Sequence, residues 1–398
     1  MSERIRTLVL DANGWGGWKA IASETVLRGM LGIRHVDSLP APIRQLAPVR
    51  HLLRTRYDRL SYALDWRDAI CADPRLDTDL CNILDLVSYR RALSRIADYA
   101  LIIILHSATG DNMGMLRRTA SRLQRRKGAL VVFVGNEYNL LDQKIGFIRD
   151  TGAEFIGTQL PLASAEWLYT ECTASRVLVM PHALNPALYQ PVPGVARVTD
   201  VGFVGSRYPL FIGDDERGAI LDFLAAHGAE YGLRCDIRLG NLPRNEWVRF
   251  LSGCRAVAGA EAGTYYLDRT GTLIPAVEHY CRAHPDATAA DIDARFFRDR
   301  PIVMSGKAIS SRHFEPVGTR TCQVLVEGHY NGILRADEHY IAVRRDLSNV
   351  ADVAARVLDE DYRRAMVERT HAYVMAHHTY AHRVAALVEA VTQSEAGS

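Results

Sequence analysis

The sequence predicts an α/β fold with two doubly wound domains, each a parallel sheet covered by helices on both faces. Fully apolar segments of strand length alternate with segments of helical periodicity in the first half of the chain, and the alternation restarts in the second half. A proline-rich stretch, 181–200, separates the halves and is typical of a stiff connection. The length of 398 residues and the hydrophobic fraction of 48% suit two globular domains.

In the first half, strands are predicted where apolar residues run without alternation: 7–12, 101–105, 130–134, 154–157 and 176–180. Helices are predicted where apolar residues recur three or four positions apart: around 21–31, 113–123 and 163–171.

In the second half, the same reasoning predicts strands at 200–204, 235–239 and 256–259. It predicts helices at 215–227, 245–252, 288–298, 319–327, 350–358, 361–376 and 381–391.

A carboxylate stands just ahead of the predicted helix 319–327. Glu315 precedes Pro316 and Gly318, and a helix start at Thr319 presents free backbone N–H groups and a positive dipole that favour anions. Glu315 can accept hydrogen bonds from ribose hydroxyls, and Gly318 lets a ligand approach the backbone. With the turn 204–207, this arrangement indicates a nucleotide-sugar site; the alternative is that Glu315 only caps a helix.

Several further residues suit the binding of phosphate. The turn after strand 200–204 holds Gly205, Ser206 and Arg207, at the end of a strand where open α/β sheets bind ligands. Lys307 supplies a second positive charge. The glycines after the first predicted strand offer backbone N–H groups to a phosphate or an acceptor: Gly14, Gly16 and Gly17. The alternatives are a surface salt bridge for Arg207, a solvated loop lysine, and a tight turn with a packed tryptophan.

Candidate catalytic residues follow two other strands. His106 and Glu137 are placed to orient an acceptor hydroxyl or accept its proton. The alternatives are a packed histidine and a loop carboxylate.

Composition excludes several classes of protein. The net charge of +2 is too small for general nucleic-acid binding. The seven cysteines form no CxxC pair, which argues against a disulfide framework or a zinc site. No strand-end Asp-x-Asp motif appears in the first half of the chain, which argues against a metal-dependent donor site, and we expect neither a metal nor a cofactor.

The sequence also indicates where in the cell the protein is found. It shows no signal-peptide pattern, and its most apolar run, 99–105, is too short to cross a bilayer, so we expect a cytoplasmic protein. Arginines interleaved with leucines over 44–60 leave open a peripheral contact with the inner face of a membrane, or an ordinary amphipathic helix.

Four segments resemble the group-1 glycosyltransferases of the GT-B fold. Residues 180–191 are similar to the segment that crosses between the domains, and 200–207 to the first strand and turn of the second domain. Arg312-His-Phe-Glu315 resembles the Arg-x-Phe-Glu of the branch related to spore-maturation glycosyltransferases, and 359–383 its closing helices.

The resemblance implies an organisation and an activity. It implies two Rossmann-like domains facing a cleft: an acceptor-side domain at 1–185, a nucleotide-sugar-binding domain at 186–375, and a closing helix and tail at 376–398 that packs back on the first. It implies metal-independent transfer of a sugar from a nucleoside-diphosphate sugar to a glycan or lipid-linked acceptor in bacterial surface polysaccharide assembly. Arg312 and Glu315 then contact the donor.

The sequence departs from the group-1 pattern in one respect. These enzymes commonly carry Glu-x7-Glu, with the first acid near the sugar and the second on the ribose. Here Gln323 follows Glu315 at that spacing, so we align Glu315 with the second, ribose-binding acid. Glu261, after the predicted strand 256–259, is one candidate for the first acid, near the donor sugar. Two other interpretations stay open: a nucleotide-sugar epimerase of the same shape, and a non-catalytic glycan-binding or scaffold protein. The sugar, the stereochemical outcome and the oligomeric state are not set by the sequence.

Overall fold

The computed structural model describes residues 4–12, 25–26, 42, 61–110 and 113–396 and divides into two compact units. The first unit comprises Met1–Thr158, Ala165–Met180 and Arg383–Ser398. The second comprises Gln159–Ser164 and Pro181–His382.

The first unit is built on a six-stranded parallel sheet. Its strands are β1 (Ile5–Asp11), β2 (Leu76–Asn82), β3 (Leu101–Ile104), β4 (Ala129–Val134), β5 (Phe155–Thr158) and β6 (Arg176–Val179), in the order β2-β1-β3-β4-β5-β6. Its helices are α1 (Ser61–Ala72), α2 (Leu86–Ser94), α3 (Met113–Leu123), α4 (Leu141–Thr151) and α5 (Leu162–Leu168). All four residues of β3 are buried, as expected for a central strand covered on both faces.

The second unit is built on a five-stranded parallel sheet. Its strands are β7 (Thr199–Gly205), β8 (Cys235–Leu239), β9 (Cys254–Gly259), β10 (Cys322–Val326) and β11 (Ile341–Val343), in the order β11-β10-β9-β7-β8. Its helices are α6 (Glu216–His227), α7 (Arg244–Gly253), α8 (Leu273–Ala283), α9 (Ala289–Ile292), α10 (Glu315–Gly318), α11 (Val350–Leu358) and α12 (Glu360–His377). The last helix, α13 (Tyr380–Ala396), begins in this unit and continues into the first.

The predicted class is confirmed: both units are parallel α/β sheets with helices. The prediction of a helix over 319–327 is wrong. The chain makes only the short helix α10 at Glu315–Gly318 and then enters β10, whose five residues are all buried between β9 and β11. A short apolar run fits a buried strand and a buried helix equally well, so periodicity alone could not separate them.

The sequence also left several elements unassigned. β2 lies at the sheet edge and reads Leu-Asp-Thr-Asp-Leu-Cys-Asn, too polar for a strand covered on both faces. α8 lies within 263–287, where no helix or strand was predicted. The predicted helix around 21–31 lies outside the described residues except for 25–26.

Each sheet has one point where the direction of winding reverses. In the second unit, β7 and β9 are neighbours, and the chain leaves them toward opposite edges of the sheet. Ligands of open α/β sheets bind beyond the carboxyl ends of such strands. In the first unit the corresponding strands are β1 and β3.

Candidate functional site

Three cationic side chains reach the carboxyl ends of β7 and β9. Arg312 donates from Nη1 to the carbonyl oxygen of Val204, near the end of β7, at 2.6 Å. Lys307 donates from Nζ to the carbonyl oxygen of Glu261, just past β9, at 3.2 Å. Arg217, from the first turn of α6, lies 3.5 Å from the carbonyl oxygen of Ala260. The winding reversal of the second unit is therefore lined by positive charge.

Lys307 is neutralised by acidic residues. Its Nζ forms an ion pair with Asp214 and lies 3.4 Å from an Oε of Glu216. The side chains of Lys307 and Asp214 are 4% and 0% exposed, so both charges are removed from water. Such a pair is stable only while both partners are present.

Arg217 and Arg312 have no carboxylate ion-pair partner among the described residues. The Arg217 guanidinium lies over the Tyr208 ring at 3.7 Å and donates to the Tyr208 hydroxyl, while its Nε has no hydrogen-bond acceptor in the described part of the chain. The Arg312 guanidinium lies 5.0 Å from the Trp247 ring centroid, and burial lowers the Arg312 pKa. Buried cations are usually paired with an anion, so this pair of guanidinium groups suits an anionic ligand.

Glu315 lies beside Arg312 but is held by a neutral donor. Its Oε2 accepts a hydrogen bond from Trp247 Nε1 at 2.7 Å, and the residue is 5% exposed. Glu315 is the first residue of α10, a helix of only four residues. The structure thus places Glu315 and Arg312 in one cluster with Trp247.

Glu261 ties the end of β9 to the loop after β10. Its carboxylate accepts from the backbone N–H groups of His329 at 3.1 Å and of Tyr330 at 2.6 Å. Burial raises the pKa of Glu261, while the two N–H groups oppose that rise. Glu261 is therefore a buried acid fixed in orientation at the same strand end as Lys307.

His313 is a neutral imidazole with a fixed tautomer. Its Nδ1 accepts from the backbone N–H of Ser310 at 2.9 Å, and its Nε2 donates to the carbonyl oxygen of Ala260 at 3.1 Å. Burial, assisted by the charge of Arg217, lowers the His313 pKa to about 3. The side chain thus connects the segment before α10 to the end of β9 without adding charge.

The lowered pKa of His313 predicts how the unfolding free energy changes with pH. The unfolded chain takes up a proton at this histidine below about pH 6.5, whereas the folded chain does so only near 3, so stability is lost as the pH falls through this window. Between pH 7 and pH 5 we expect His313→Gln to remove about 2 kcal/mol of the pH-dependent loss in unfolding free energy, measured by urea titration. The exposed His227→Gln is the control and should follow the wild type; an identical slope in His313→Gln would contradict the buried neutral state.

The turn after β7 is the most exposed part of the predicted site. Ser206 and Arg207 are exposed, and Arg207 forms an ion pair with Asp222 of α6. Gly205 leaves room for its neighbours, because a Cβ there would lie 2.8 Å from the Phe203 ring and 3.3 Å from Arg312 Nη1. The roles of Gly205, Ser206 and Arg207 in ligand binding stay predictions.

Gly318 and Thr319 are buried in the interior of the second unit. A Cβ at Gly318 would lie 2.3 Å from the carbonyl oxygen of Tyr189 and 2.8 Å from Leu184. Thr319 is 0% exposed and donates from Oγ1 to the carbonyl oxygen of Pro316 at 3.1 Å. The missing side chain at 318 thus allows close packing against the segment 184–189.

Gly318→Ala should lower the unfolding free energy by about 1–3 kcal/mol without any ligand, because the backbone oxygen of Tyr189 cannot move aside easily. Gly146→Ala is the matched control: nothing lies within 4 Å of the added Cβ in α4, and alanine should stabilise the helix by up to about 1 kcal/mol. Denaturant titration measures both, and equal stability in Gly318→Ala and the wild type would contradict the packing role.

The first unit places His106 and Glu137 after β3 and β4. His106 is 5% exposed, lies among the rings of Tyr62, Trp66 and Phe133, and has its pKa lowered to about 3 by burial and then by the charge of Lys144. Glu137 is also buried and accepts from the Thr158 hydroxyl at 2.6 Å. Both therefore lie at the carboxyl edge of the first sheet, as predicted.

Other predicted site residues cannot be placed. Gly14, Gly16 and Gly17 lie outside the described residues, and so does the basic stretch 44–60. Within the described ranges, no cluster of three or more histidine, cysteine or acidic side chains is arranged to hold a metal. No helix in the described part of the chain is long and apolar enough to cross a membrane.

Sequence reasoning missed Arg217, Trp247 and Asp214. Arg217 occupies a helix start, where most arginines are solvated, and only the position of β7 beside β9 shows that it is buried. One local signal could have pointed to Arg217 and Asp214. It is a dense cluster of charges at a strand-to-helix connection, Asp214-Asp-Glu-Arg217.

Comparison with known proteins supports the fold assignment. A family model described as "Glycosyl transferase-like" matches residues 280–389, less than a third of the chain. An alpha-glucosyltransferase solved with UDP and a 13-mer DNA shares 10% identity and a TM-score of 0.55, over 98% of this chain and 100% of the other. Sucrose-phosphate synthase from Thermosynechococcus elongatus shares 11% identity and a TM-score of 0.51, over 99% and 100%. None of the curated proteins matches the sequence. With the two parallel-sheet units, these likenesses show the GT-B fold.

Proposed function

We propose that the protein is a glycosyltransferase that moves a sugar from a nucleoside-diphosphate sugar to a glycan or lipid-linked acceptor. The observation that carries the proposal is a pair of guanidinium groups at the winding reversal of the second sheet, Arg217 buried and Arg312 partly buried, neither of which forms an ion pair with a carboxylate in the described ranges. The match of residues 280–389 to a glycosyltransferase-like family supports it.

The proposed reaction breaks the bond between the anomeric carbon and the diphosphate oxygen and forms a bond from that carbon to an acceptor hydroxyl. The leaving diphosphate gains negative charge in the transition state, and Arg217 and Arg312 would stabilise it without a metal ion. Glu315, held by Trp247, would accept hydrogen bonds from the donor ribose.

A residue of the first unit would take the acceptor's proton. We assign this role to Glu137, because a histidine with a pKa of about 3, as His106 has, is a weak base at neutral pH. Glu261 would act from the donor side, through its fixed orientation at the end of β9. By the resemblance of Arg312-His-Phe-Glu315, we place the protein near the spore-maturation branch and in the assembly of bacterial surface polysaccharide.

A thermal-shift screen tests the proposal, with UDP, GDP, ADP, TDP, CMP and their common sugar conjugates. A ligand at about 100 times its Kd adds roughly 2.7 kcal/mol to the stability of the folded state, so one nucleotide should stand out. UDP is the first to try, because the alpha-glucosyltransferase of similar fold was solved with it.

Two results would contradict the proposal. The first is folded protein that responds to none of these ligands at millimolar concentration. The second is conversion of the donor alone into an epimer, which would point to an epimerase.

A further inference from the structure

The helices α2 and α3 of the first unit carry a concentration of positive charge. Seven of their exposed side chains, including the residues just after α3, are cationic: Arg90, Arg91, Arg117, Arg118, Arg122, Arg125 and Lys127. None of the seven forms an ion pair within the described residues, and the span 113–127 contains no acidic residue. We call this surface the basic face.

The two helices adjoin, so their charges form one surface. The Tyr89 hydroxyl of α2 and the Thr119 hydroxyl of α3 are 2.7 Å apart, and the charge of Arg122 acts on Tyr89. The apolar residues of α3 point inward: Met113, Leu116 and Leu123 are each at most 1% exposed. The arginines therefore occupy the opposite, outer side of the helix.

The cations of the basic face lie close enough together to repel one another. Arg118 and Arg122 are four residues apart on α3, a spacing at which like charges repel. The whole chain carries a net charge of only +2, so with seven positive charges on this face the remaining residues carry a net −5. A polarised charge distribution of this kind orients a protein toward an anionic surface.

We propose that the basic face binds the anionic surface of a lipid bilayer. Clusters of four to eight arginine or lysine residues on an amphipathic helix suit anionic headgroups. Val87 is 45% exposed and lies three and four residues before Arg90 and Arg91, so α2 presents an apolar side chain beside its cations.

Three uncharged polar side chains of this face already donate hydrogen bonds within the unit. Thr119 donates to the carbonyl oxygens of Met115 and Leu116, Gln124 to that of Asp150, and Ser94 to that of Arg91. What remains available is mainly charge, with the exposed hydroxyl of Ser121 and a valine, which matches headgroups and the top of the acyl layer. The seven residues of the basic face are not part of the predicted basic stretch 44–60, and the proposal is independent of the proposed function.

The test is co-sedimentation of the full chain with vesicles of phosphatidylcholine, with and without phosphatidylserine. The variant Arg118→Gln/Arg122→Gln/Arg125→Gln removes three charges from the basic face. The control Arg249→Gln/Arg282→Gln/Arg364→Gln removes three exposed arginines from the second unit and changes the net charge equally. Thermal melts establish that both variants are folded.

We expect the wild type to bind only vesicles with phosphatidylserine and to be released by high salt. Each arginine removed should lower the affinity for the vesicles about fivefold, so the variant should bind on the order of 100-fold more weakly. The control should bind as the wild type does. The proposal would be overturned by no binding of the wild type to these vesicles, by equal loss of binding in the variant and the control, or by full binding of the variant. Tighter binding to duplex DNA than to the vesicles would assign the face to nucleic acid instead.

Discussion

Replacing Lys307 by methionine is expected to lower the unfolding free energy by about 3–5 kcal/mol. The substitution keeps most of the side-chain volume but leaves the Asp214 carboxylate, whose side chain is 0% exposed, without its cation. A buried charge that loses its partner keeps the full cost of desolvation. Urea titration of Lys307→Met against the wild type measures the effect.

The double variant Lys307→Met/Asp214→Asn provides the control. Removing both charges should restore most of the lost stability, because a buried ion pair contributes little net free energy relative to neutral groups. A loss below about 1 kcal/mol in the single variant would show that water reaches the pair. A double variant as unstable as the single one would show that Lys307 acts through packing.

The position of Lys307 also bears on the group-1 pattern. Counting back seven intervening residues from Glu315 leads to Lys307, so a lysine stands where these enzymes carry the first acid of Glu-x7-Glu. In the structure this lysine is bound to Asp214, Glu216 and the carbonyl oxygen of Glu261. The acids of this region thus come from the β7–α6 connection and from the end of β9.

Local pattern was sufficient to predict most of the fold. Uninterrupted apolar runs predicted β3, β4, β7 and β9 correctly. Both faces of such a strand are covered by helices, so its residues are apolar without alternation. The same logic failed for β2, an edge strand with exposed aspartates, and for β10, where a Glu-Pro-x-Gly start suggested a longer helix than the four residues of α10.

The site was less predictable than the fold. Glu315, Arg312, Lys307 and Glu261 were named from strand ends and from a motif, and the structure brings all four into the second unit at the carboxyl ends of β7 and β9 or beside them. Arg217 and Trp247 were missed. Arg217 acts on Arg312 through its charge across 95 residues of chain, and Trp247 is hydrogen-bonded to Glu315 across 68. No local spacing encodes such contacts.

Neutralising Arg217 or Arg312 is expected to abolish most nucleotide binding while leaving the ligand-free protein as stable as the wild type, or more stable. The Arg217 side chain is buried and that of Arg312 is partly buried, and neither has a carboxylate ion-pair partner among the described residues, so methionine relieves the cost of desolvating a charge. A charge-assisted hydrogen bond to phosphate is worth about 1.5–3 kcal/mol, so each variant should raise the Kd for the donor about 10–150-fold.

The combination of the two measurements is what separates a ligand-binding role from a structural one. An arginine that only supports the fold, here through Tyr208 or Trp247, would lower the melting temperature of the ligand-free protein when replaced, and binding would fall only as far as folding does. An arginine held ready for an anion should leave the ligand-free melting temperature unchanged or raised and remove the rise caused by the nucleotide. Arg249→Met is the matched control, because Arg249 is exposed on α7, the helix that carries Trp247. If Arg217→Met and Arg312→Met both destabilise the ligand-free protein yet bind the nucleotide with wild-type affinity, the two guanidinium groups serve the fold, and the phosphate-binding cations must lie elsewhere.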